Sequence, residues 1–328
     1  MKSSLKTMLC TLLAAALSAC ASMSGAGPGR NAVNAKSAVV QDMASISEVR
    51  ALTDGLQTRY GANNVLVVFD IDDTLLTGFV DLGSTAWWNW QGTLAKTDPA
   101  YLPFGKRLAV ANTAFALSNL HPVEGQATVD YVQELIRAGT PVYALTARGP
   151  DNRDATLREL HRNGLDMKTA PECGPPLCVK RGILDGDKIV VPLGRKRFGF
   201  GPDEKTHDLG HGPIKLSSHR PVSVSDGVMM VSGQNKGVML RLLIDSLPKD
   251  QRPKAVVFVD DSAHNIRNAK AASPAFGEAL YIIHYTAKTP DQKDYMQNRK
   301  REQKAAKALD ELSHTVCHVF ATHSPICQ

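Results

Sequence analysis

Residues 65–74 read Val65-Leu66-Val67-Val68-Phe69-Asp70-Ile71-Asp72-Asp73-Thr74. From Val65 to Ile71 the stretch is apolar except at Asp70. A strand with one wet face alternates apolar and polar residues. An unbroken run suits a strand buried on both faces, as in a parallel sheet covered by helices. The run ends in acids, and the ends of parallel strands open onto the crevice where such sheets bind ligands. Asp70 and Asp72 are two residues apart on an extended segment, so both face one side. One can attack phosphorus while the other handles protons, provided that a divalent cation screens their repulsion.

Outward from this stretch the chain alternates strand and helix patterns. Residues 38–60 read as a helix, with Val39, Met43, Ile46, Val49 and Leu56 near one face and Asn63-Asn64 as the break. Residues 75–121 are less regular and hold Trp87, Trp88 and Trp90, all three tryptophans of the chain. A helix is expected over 124–138, stopped by Gly139. A strand follows over 141–145 and ends at Thr146, and a helix over 151–163 is stopped by Gly164. Residues 165–222 are rich in Gly, Pro and charge and break the rhythm. Val222 to Val224 and Val228 to Val231 flank Asp226-Gly227, a hairpin signal. A helix from Lys236 to Leu247, a strand over 254–259 ending in Asp260-Asp261, a helix to Ala272, a strand over 279–284 and a charged outer helix over 292–313 complete the pattern. The fold class this predicts is α/β, a doubly wound and mostly parallel sheet. Residues 38–328 form its domain, with cap-like insertions at about 76–121 and 165–222.

Three further features fall where an α/β sheet places chemistry. Thr146 follows Val142-Tyr143-Ala144-Leu145, and its hydroxyl and the next backbone N–H groups suit phosphate oxygens. Lys236 opens a helix, a position already favourable to anions. Asp260-Asp261 is a hard oxygen pair suited to Mg2+. Arg148 is close enough to Thr146 to reach phosphate or substrate, with a surface salt bridge as the alternative.

The order and spacing of DxDxT at 70–74, Thr146, Lys236 and Asp260-Asp261 resemble the four motifs of the haloacid dehalogenase (HAD) superfamily, over roughly residues 65–285. The resemblance implies a HAD-like, Rossmann-like sheet with a cap, an Mg2+ cofactor and phosphoryl transfer. On it, Asp70 is the nucleophile and a metal ligand. Asp72 is the general acid/base, and its carbonyl also binds metal. Thr146 holds the phosphoryl group, and Lys236 offsets charge around it. Asp261 is the direct metal ligand, Asp260 stands beside it, and Asn265 orients a metal-bound water. HAD dehalogenases lack the acid/base at Asp72, so a phosphatase acting on a small phosphomonoester is expected, with a phosphomutase or a catalytically silent binding lipoprotein as alternatives. No role falls to Asp73. Gly83-Ser84-Thr85-Ala86-Trp87-Trp88, Leu145-Thr146-Ala147-Arg148 and Ser232-Gly233-Gln234-Asn235-Lys236-Gly237 further resemble the family DUF2608. Exported class B and C acid phosphatases are more distant analogues.

The first residues read as a processing signal. Lys2 and Lys6 precede an apolar run from Met8 to Leu17, too short to span a bilayer. Leu17-Ser18-Ala19-Cys20 resembles a bacterial lipobox, which implies that residues 1–20 are a signal ending in a lipidated Cys20. Residues 21–37 read as a tether. The expected location is the cell envelope, on the outer membrane facing the periplasm. Cys173, Cys178, Cys317 and Cys327 then suit disulfides, simplest as 173–178 and 317–327, rather than a zinc site.

A net charge of +6 on 328 residues, spread along the chain, predicts no nucleic-acid partner. It sets no oligomeric state. Trp87, Trp88 and Trp90 are read first as packing and second as a substrate-stacking surface. His207 and His211 are four apart, but Gly210, Gly212 and Pro213 disfavour the helix that would pair them on a metal. His264, beside the acidic motif, reads first as an ordinary polar loop residue and second as a residue of the cleft rim. Ser217-Ser218-His219 has no nucleophile context, which sets a serine hydrolase aside.

Overall fold

In the computed structural model, the run at 65–74 forms the strand at the middle of a parallel array. The structure describes residues 38–117, 119–168, 170, 189–191, 206–208, 213–215, 220, 222–295 and 300–320. The expected signal, Cys20 and the tether lie outside them. Among the described residues, no helix is long and apolar enough to cross a membrane.

The chain begins with β1 (Val39–Met43), α1 (Ile46–Tyr60) and β2 (Val65–Phe69). After the acidic turn come β3 (Leu76–Gly78), α2 (Thr85–Thr93), α3 (Phe104–Leu117) and β4 (Leu120–Pro122). Next are α4 (Gln126–Arg137), β5 (Val142–Thr146) and α5 (Arg153–Arg162). Three short strands follow, β6 (Ile189–Val191), β7 (Thr206–Asp208) and β8 (Pro213–Lys215). The hairpin strands are β9 (Val222–Ser225) and β10 (Val228–Met230). Then come α6 (Lys236–Ser246), β11 (Ala255–Asp260), α7 (Ala263–Ala272) and β12 (Ala279–Tyr285). Two helices close the described chain, α8 (Thr289–Tyr295) and α9 (Lys300–Phe320).

The main sheet has the order β1-β12-β11-β2-β5-β10-β9-β6. The first six of these strands are parallel; β9 runs antiparallel to them beside β10, and β6 pairs antiparallel with β9. This is an α/β fold with a mostly parallel central sheet. Strand residues alternate between two apolar layers. Leu66, Val68, Val256, Phe258 and Ile282 pack with Val238, Leu243 and Ala269 of α6 and α7. Val65, Val67, Phe69, Val257 and Ile283 pack with Val49, Leu56, Val132 and Leu135 of α1 and α4. Both faces are covered, which is why the central strands carry no polar alternation. From β2 the chain proceeds through β5 to β10, then crosses back to β11 on the other side of β2. The crevice beside β2 is therefore where the winding reverses.

Two expectations need correction. Residues 38–43 are not helix but the edge strand β1. They pair with the otherwise open edge of β12, from Val39 against Tyr281 to Met43 against Tyr285. The helix begins only at Ile46, where Ser45 caps Glu48 N–H at 3.4 Å and Glu48 accepts from Ala44 N–H at 2.9 Å. Ser45-Ile46-Ser47-Glu48 has the capping-box sequence and is a signal for that start, with Glu48 reaching the N–H one residue before the cap. The charged helix expected over 292–313 is two helices, α8 and α9. The first opens with Pro290 in its first turn, where a missing N–H costs nothing.

The Asp226-Gly227 hairpin is present. Asp226 has φ 52° and Gly227 φ 70°, and a Cβ on Gly227 would lie 2.1 Å from the Met167 carbonyl oxygen. Between β3 and β4, Trp87 and Trp90 are 0% and 1% exposed. They pack with Leu82, Val110, Tyr295 and Ala306, so packing, not stacking on a ligand, accounts for them. Trp88 sits under the Arg107 guanidinium. The same layer ties α8 and α9 to α2 and α3, with Trp90 edge-on to Tyr295 and Lys106 paired to Asp310.

Candidate active site

The chain leaves β2 through a tight turn. The Asp70 N–H donates to the Val259 carbonyl at 2.8 Å, and the N–H groups of Leu75 and Leu76 both reach back to the Ile71 carbonyl. Asp73 lies at the crest with φ 57°, a left-handed conformation that Asp tolerates better than most residues. Thr77 Oγ1 donates to its carboxylate at 2.8 Å. Asp73 thus has a structural role that the sequence did not suggest: it shapes the turn that projects Asp70 and Asp72.

Lys236 meets this turn from the other side. Its placement explains the surrounding motif. Ser232 and Gly233 take left-handed φ of 50° and 69°, and their N–H groups bond the Arg148 and Ala147 carbonyls. Asn235 caps α6 by accepting from Val238 N–H at 3.1 Å. Gly237 lets α6 lie against α7, since a Cβ there would come within 2.3 Å of the Asn268 carbonyl oxygen. Lys236 is the first residue of this fixed helix. Its Nζ lies 2.7 Å from Asp70 Oδ1 and 2.8 Å from Asp260 Oδ2.

This half of the site is closed to solvent: Asp260 is 0% exposed, Lys236 1%, Asp70 6% and Asp261 7%. One carboxylate oxygen from each of Asp70, Asp260 and Asp261 lies within 4.8 Å of the others. Burial pushes Asp70 up to about 8 against the pull of Lys236, with Asp260 and Asp72 adding to the rise. Asp261 is likewise raised, by burial first and then by Asp260, Asp70 and Asp73. A single ammonium does not balance three carboxylates in so dry a place. The donor set is all hard oxygen, which is what Mg2+ takes.

The three acids are not equivalent. Asp260 is saturated: besides Lys236 it accepts from Asn265 Nδ2 at 3.0 and 3.1 Å and from Ser262 N–H at 2.9 Å. Asn265 therefore orients Asp260. Asp261 is held by its backbone, with its N–H on Thr74 Oγ1 at 3.1 Å and its carbonyl beside His284 Nε2 at 3.1 Å. Its carboxylate accepts from Gln292 Nε2 at 2.9 Å, and the same amide approaches Asp73 at 3.4 Å. Gln292 lies on α8 and was missed by sequence reading. No motif marks it, and it sits in what read as a charged helix packed on the outside.

The other half gathers around Asp72, whose side chain is 26% exposed. Arg148 grips it through both oxygens, Nε to Oδ2 at 3.0 Å and Nη2 to Oδ1 at 2.6 Å. Its Nη1 donates to Thr156 at 3.0 Å, and the guanidinium stacks 4.1 Å from the Phe115 ring centre. Arg148, expected at phosphate or in a surface salt bridge, is instead committed to a buried fork that fixes Asp72. Thr146 ends β5 and is fully buried, and its Oγ1 accepts from the Arg148 N–H at 3.2 Å. The structure joins Asp70, Lys236, Asp260, Asp261 and Asn265 in one network and Asp72, Arg148 and Thr146 in another.

Other expected residues stand apart. His264 meets Asn268 on the exposed side of α7. His207 lies on β7, so it shares no helix face with His211, which is outside the described residues along with Ser217, Ser218 and His219. Cys317 is disulfide-bonded. Cys20, Cys173, Cys178 and Cys327 lie outside the described residues, and with them the expected pairing.

No curated protein and no solved structure matches this chain. A family described as a protein of unknown function, DUF2608, matches residues 42–316. That span holds every residue of both networks, and the chain belongs to the DUF2608 family.

Proposed function

We propose that this protein is an Mg2+-dependent phosphatase of the HAD type that hydrolyses a small phosphomonoester through an aspartyl-phosphate on Asp70. The observation that carries this reading is Lys236, buried and shared between Asp70 and Asp260, with Asp261 alongside. An ammonium held against a would-be nucleophile, beside a cluster of buried carboxylates, suits attack on an anionic group. The reading keeps the α/β sheet as a HAD core and the segment between β3 and β4 as its cap.

Asp70 Oδ1 accepts from Lys236 and from the Ile71 N–H at 2.7 Å, which leaves Oδ2 to attack phosphorus. As that bond forms, the bond from phosphorus to the leaving oxygen breaks, and Asp72 gives its proton to that oxygen. Asp72 then takes a proton from water. The water oxygen bonds to phosphorus, and the bond to Asp70 breaks to release phosphate. Arg148 holds Asp72 in the plane both transfers need. Lys236 and Thr146 stabilise charge around the phosphoryl oxygens. Asp70 and Asp261 would hold Mg2+, steadied by Asp260 and Asn265, and the ion supplies charge stabilisation for the transferred group.

We place the protein outside the cytoplasm, tethered by lipid on Cys20. Radiolabelled fatty acid should appear on the wild-type chain and not on Cys20→Ala. For activity, the purified protein is assayed with para-nitrophenyl phosphate and a panel of sugar phosphates and nucleotides from pH 5 to 8. Turnover that needs Mg2+ and stops with chelator is expected. Tight Mg2+ binding with no turnover on any ester would replace the phosphatase with a binding protein on the same scaffold.

A further inference from the structure

Beside Asp72 the structure has a cavity of about 310 Å³. Its walls come from three places: the segment after the acidic turn (Leu76, Phe79, Leu82), the end of α3 (Phe115, Leu117), and Leu309 of α9. A cavity of roughly 150 Å³ holds a benzene ring, so this one holds a group about twice as large. We propose that it receives the leaving group of the substrate and that this group is apolar. The substrate is then the phosphomonoester of an alkyl or aryl alcohol, not a nucleotide or a sugar phosphate. The inference rests on the phosphatase reading above.

Three observations carry it. The first is position. In an in-line displacement the leaving oxygen is opposite the nucleophile and within reach of the acid that protonates it. On the reading above Asp72 is that acid, and Asp72 is among the residues that line the cavity. Whatever alcohol departs therefore departs on this side.

The second is charge. Among the described lining residues the charged ones are Asp72 and Asp73, with no Lys, Arg or His. A second phosphate on the leaving group would meet Asp73 and an Asp72 whose charge Arg148 already balances, with no cation among the described lining residues to hold it. A polyhydroxylated sugar would find few partners, the Asn119 amide being the one side-chain amide among the described lining residues. Thr77 Oγ1 is already given to Asp73, and Ser84 Oγ accepts from the Trp87 N–H at 3.2 Å as the cap of α2. Hydroxyls buried against hydrocarbon lose their bonds to water without replacement.

The third is the rim. Phe79 is 75% exposed and Leu117 65%, far from usual for large apolar side chains, and Val80 beside them is also exposed. All three line this cavity. Contiguous exposed hydrocarbon at the mouth of a pocket marks a binding surface rather than a packing residue. The C-terminal helix contributes Leu309, so α9 forms part of the same pocket.

The test compares kcat/KM of the purified protein for methyl, butyl and glycerol 3-phosphate, whose leaving alcohols differ little in intrinsic reactivity. Each buried methylene should contribute about a fourfold gain. Butyl phosphate should exceed methyl phosphate at least tenfold, and glycerol 3-phosphate, close to butyl in size, should fall at least tenfold below butyl. Phe79→Asp and Leu117→Asp, both at exposed positions, should each cut the butyl-to-methyl ratio at least fivefold. A ratio near one, or a preference for glycerol 3-phosphate, overturns the inference. If no ester turns over, the phosphatase reading fails and the pocket is judged by calorimetry with butylphosphonate against methylphosphonate. A Kd at least tenfold lower for the butyl compound upholds the apolar pocket. Equal values overturn it.

Discussion

Asp70 and Asp72 are neighbours but one in the chain, yet the two sides of the site around them are built differently. Asp70 sits among ends of the central strands, with Lys236, Asp260 and Asp261 closed off from water and tied by short hydrogen bonds. Asp72 faces a cavity made by segments outside the main sheet and is held by one side chain, Arg148. On the first side, rigid strands and the packed α6–α7 pair set each atom. On the second, a loop, the ends of α3 and β4 and a distant C-terminal helix set the shape. On the proposed function, the nucleophile and the metal ligands are placed on the first, and the second combines the acid/base Asp72 with recognition of the leaving group.

The strongest way to break the buried side is Asp70→Asn. On the proposed mechanism turnover falls by about 10⁴-fold or more, while circular dichroism stays that of the wild type. The same substitution probes what burial does there. In metal-free protein Asp70 keeps its proton up to about 8, whereas the unfolded chain releases it near 3.8. Between those values the folded state binds the extra proton, so stability falls as pH rises from about 4 to about 8. Melting followed in chelator should drop across that window, and Asp70→Asn should flatten part of the drop. A flat wild-type profile would mean that Lys236 alone keeps Asp70 ionised.

The open side should break more gently. Arg148→Ala frees Asp72 without removing it, and kcat should fall on the order of 10²-fold, the scale of a misplaced catalytic group. Arg148→Lys keeps the charge and loses the two-pronged fork, so it should restore less than a tenth of what was lost. Full rescue by Lys would show that charge, not geometry, is what Asp72 needs.

Gln292 joins the two sides, since its amide reaches both Asp261 and Asp73. Gln292→Ala should raise the Mg2+ concentration for half-maximal activity about tenfold, as expected for a residue that orients a metal ligand. The kcat at saturating Mg2+ should change less than threefold. An unchanged Mg2+ requirement would show that α8 only packs.

Much of the buried side was legible in the chain. Val65–Phe69, Val142–Thr146 and Ala255–Asp260 are unbroken apolar runs that end in polar residues. A strand covered on both faces has to be apolar throughout, and its C-terminal end is where the backbone emerges. Asn235 before Lys236 is a cap, and Asp226-Gly227 is a hairpin turn. Each is local chemistry that the residues impose wherever they occur. The strand at Val39–Met43 was not legible. Its residues suit a helix face as well as an edge, and pairing with β12 decided between them.

The remaining decisions belong to the tertiary structure, because they depend on which distant segments meet. Arg148 has no local reason to choose Asp72, 76 residues away, over solvent. Gln292 reaches Asp261 only because Tyr295 packs α8 against Trp90. The apolar cavity exists only where residues 76–84, the end of α3 and Leu309 come together. Strand periodicity and motif order determined the α/β core and the acidic cluster. Long-range packing decided which partner each charge took, since a side chain's environment comes from neighbours in space and periodicity records only neighbours in sequence.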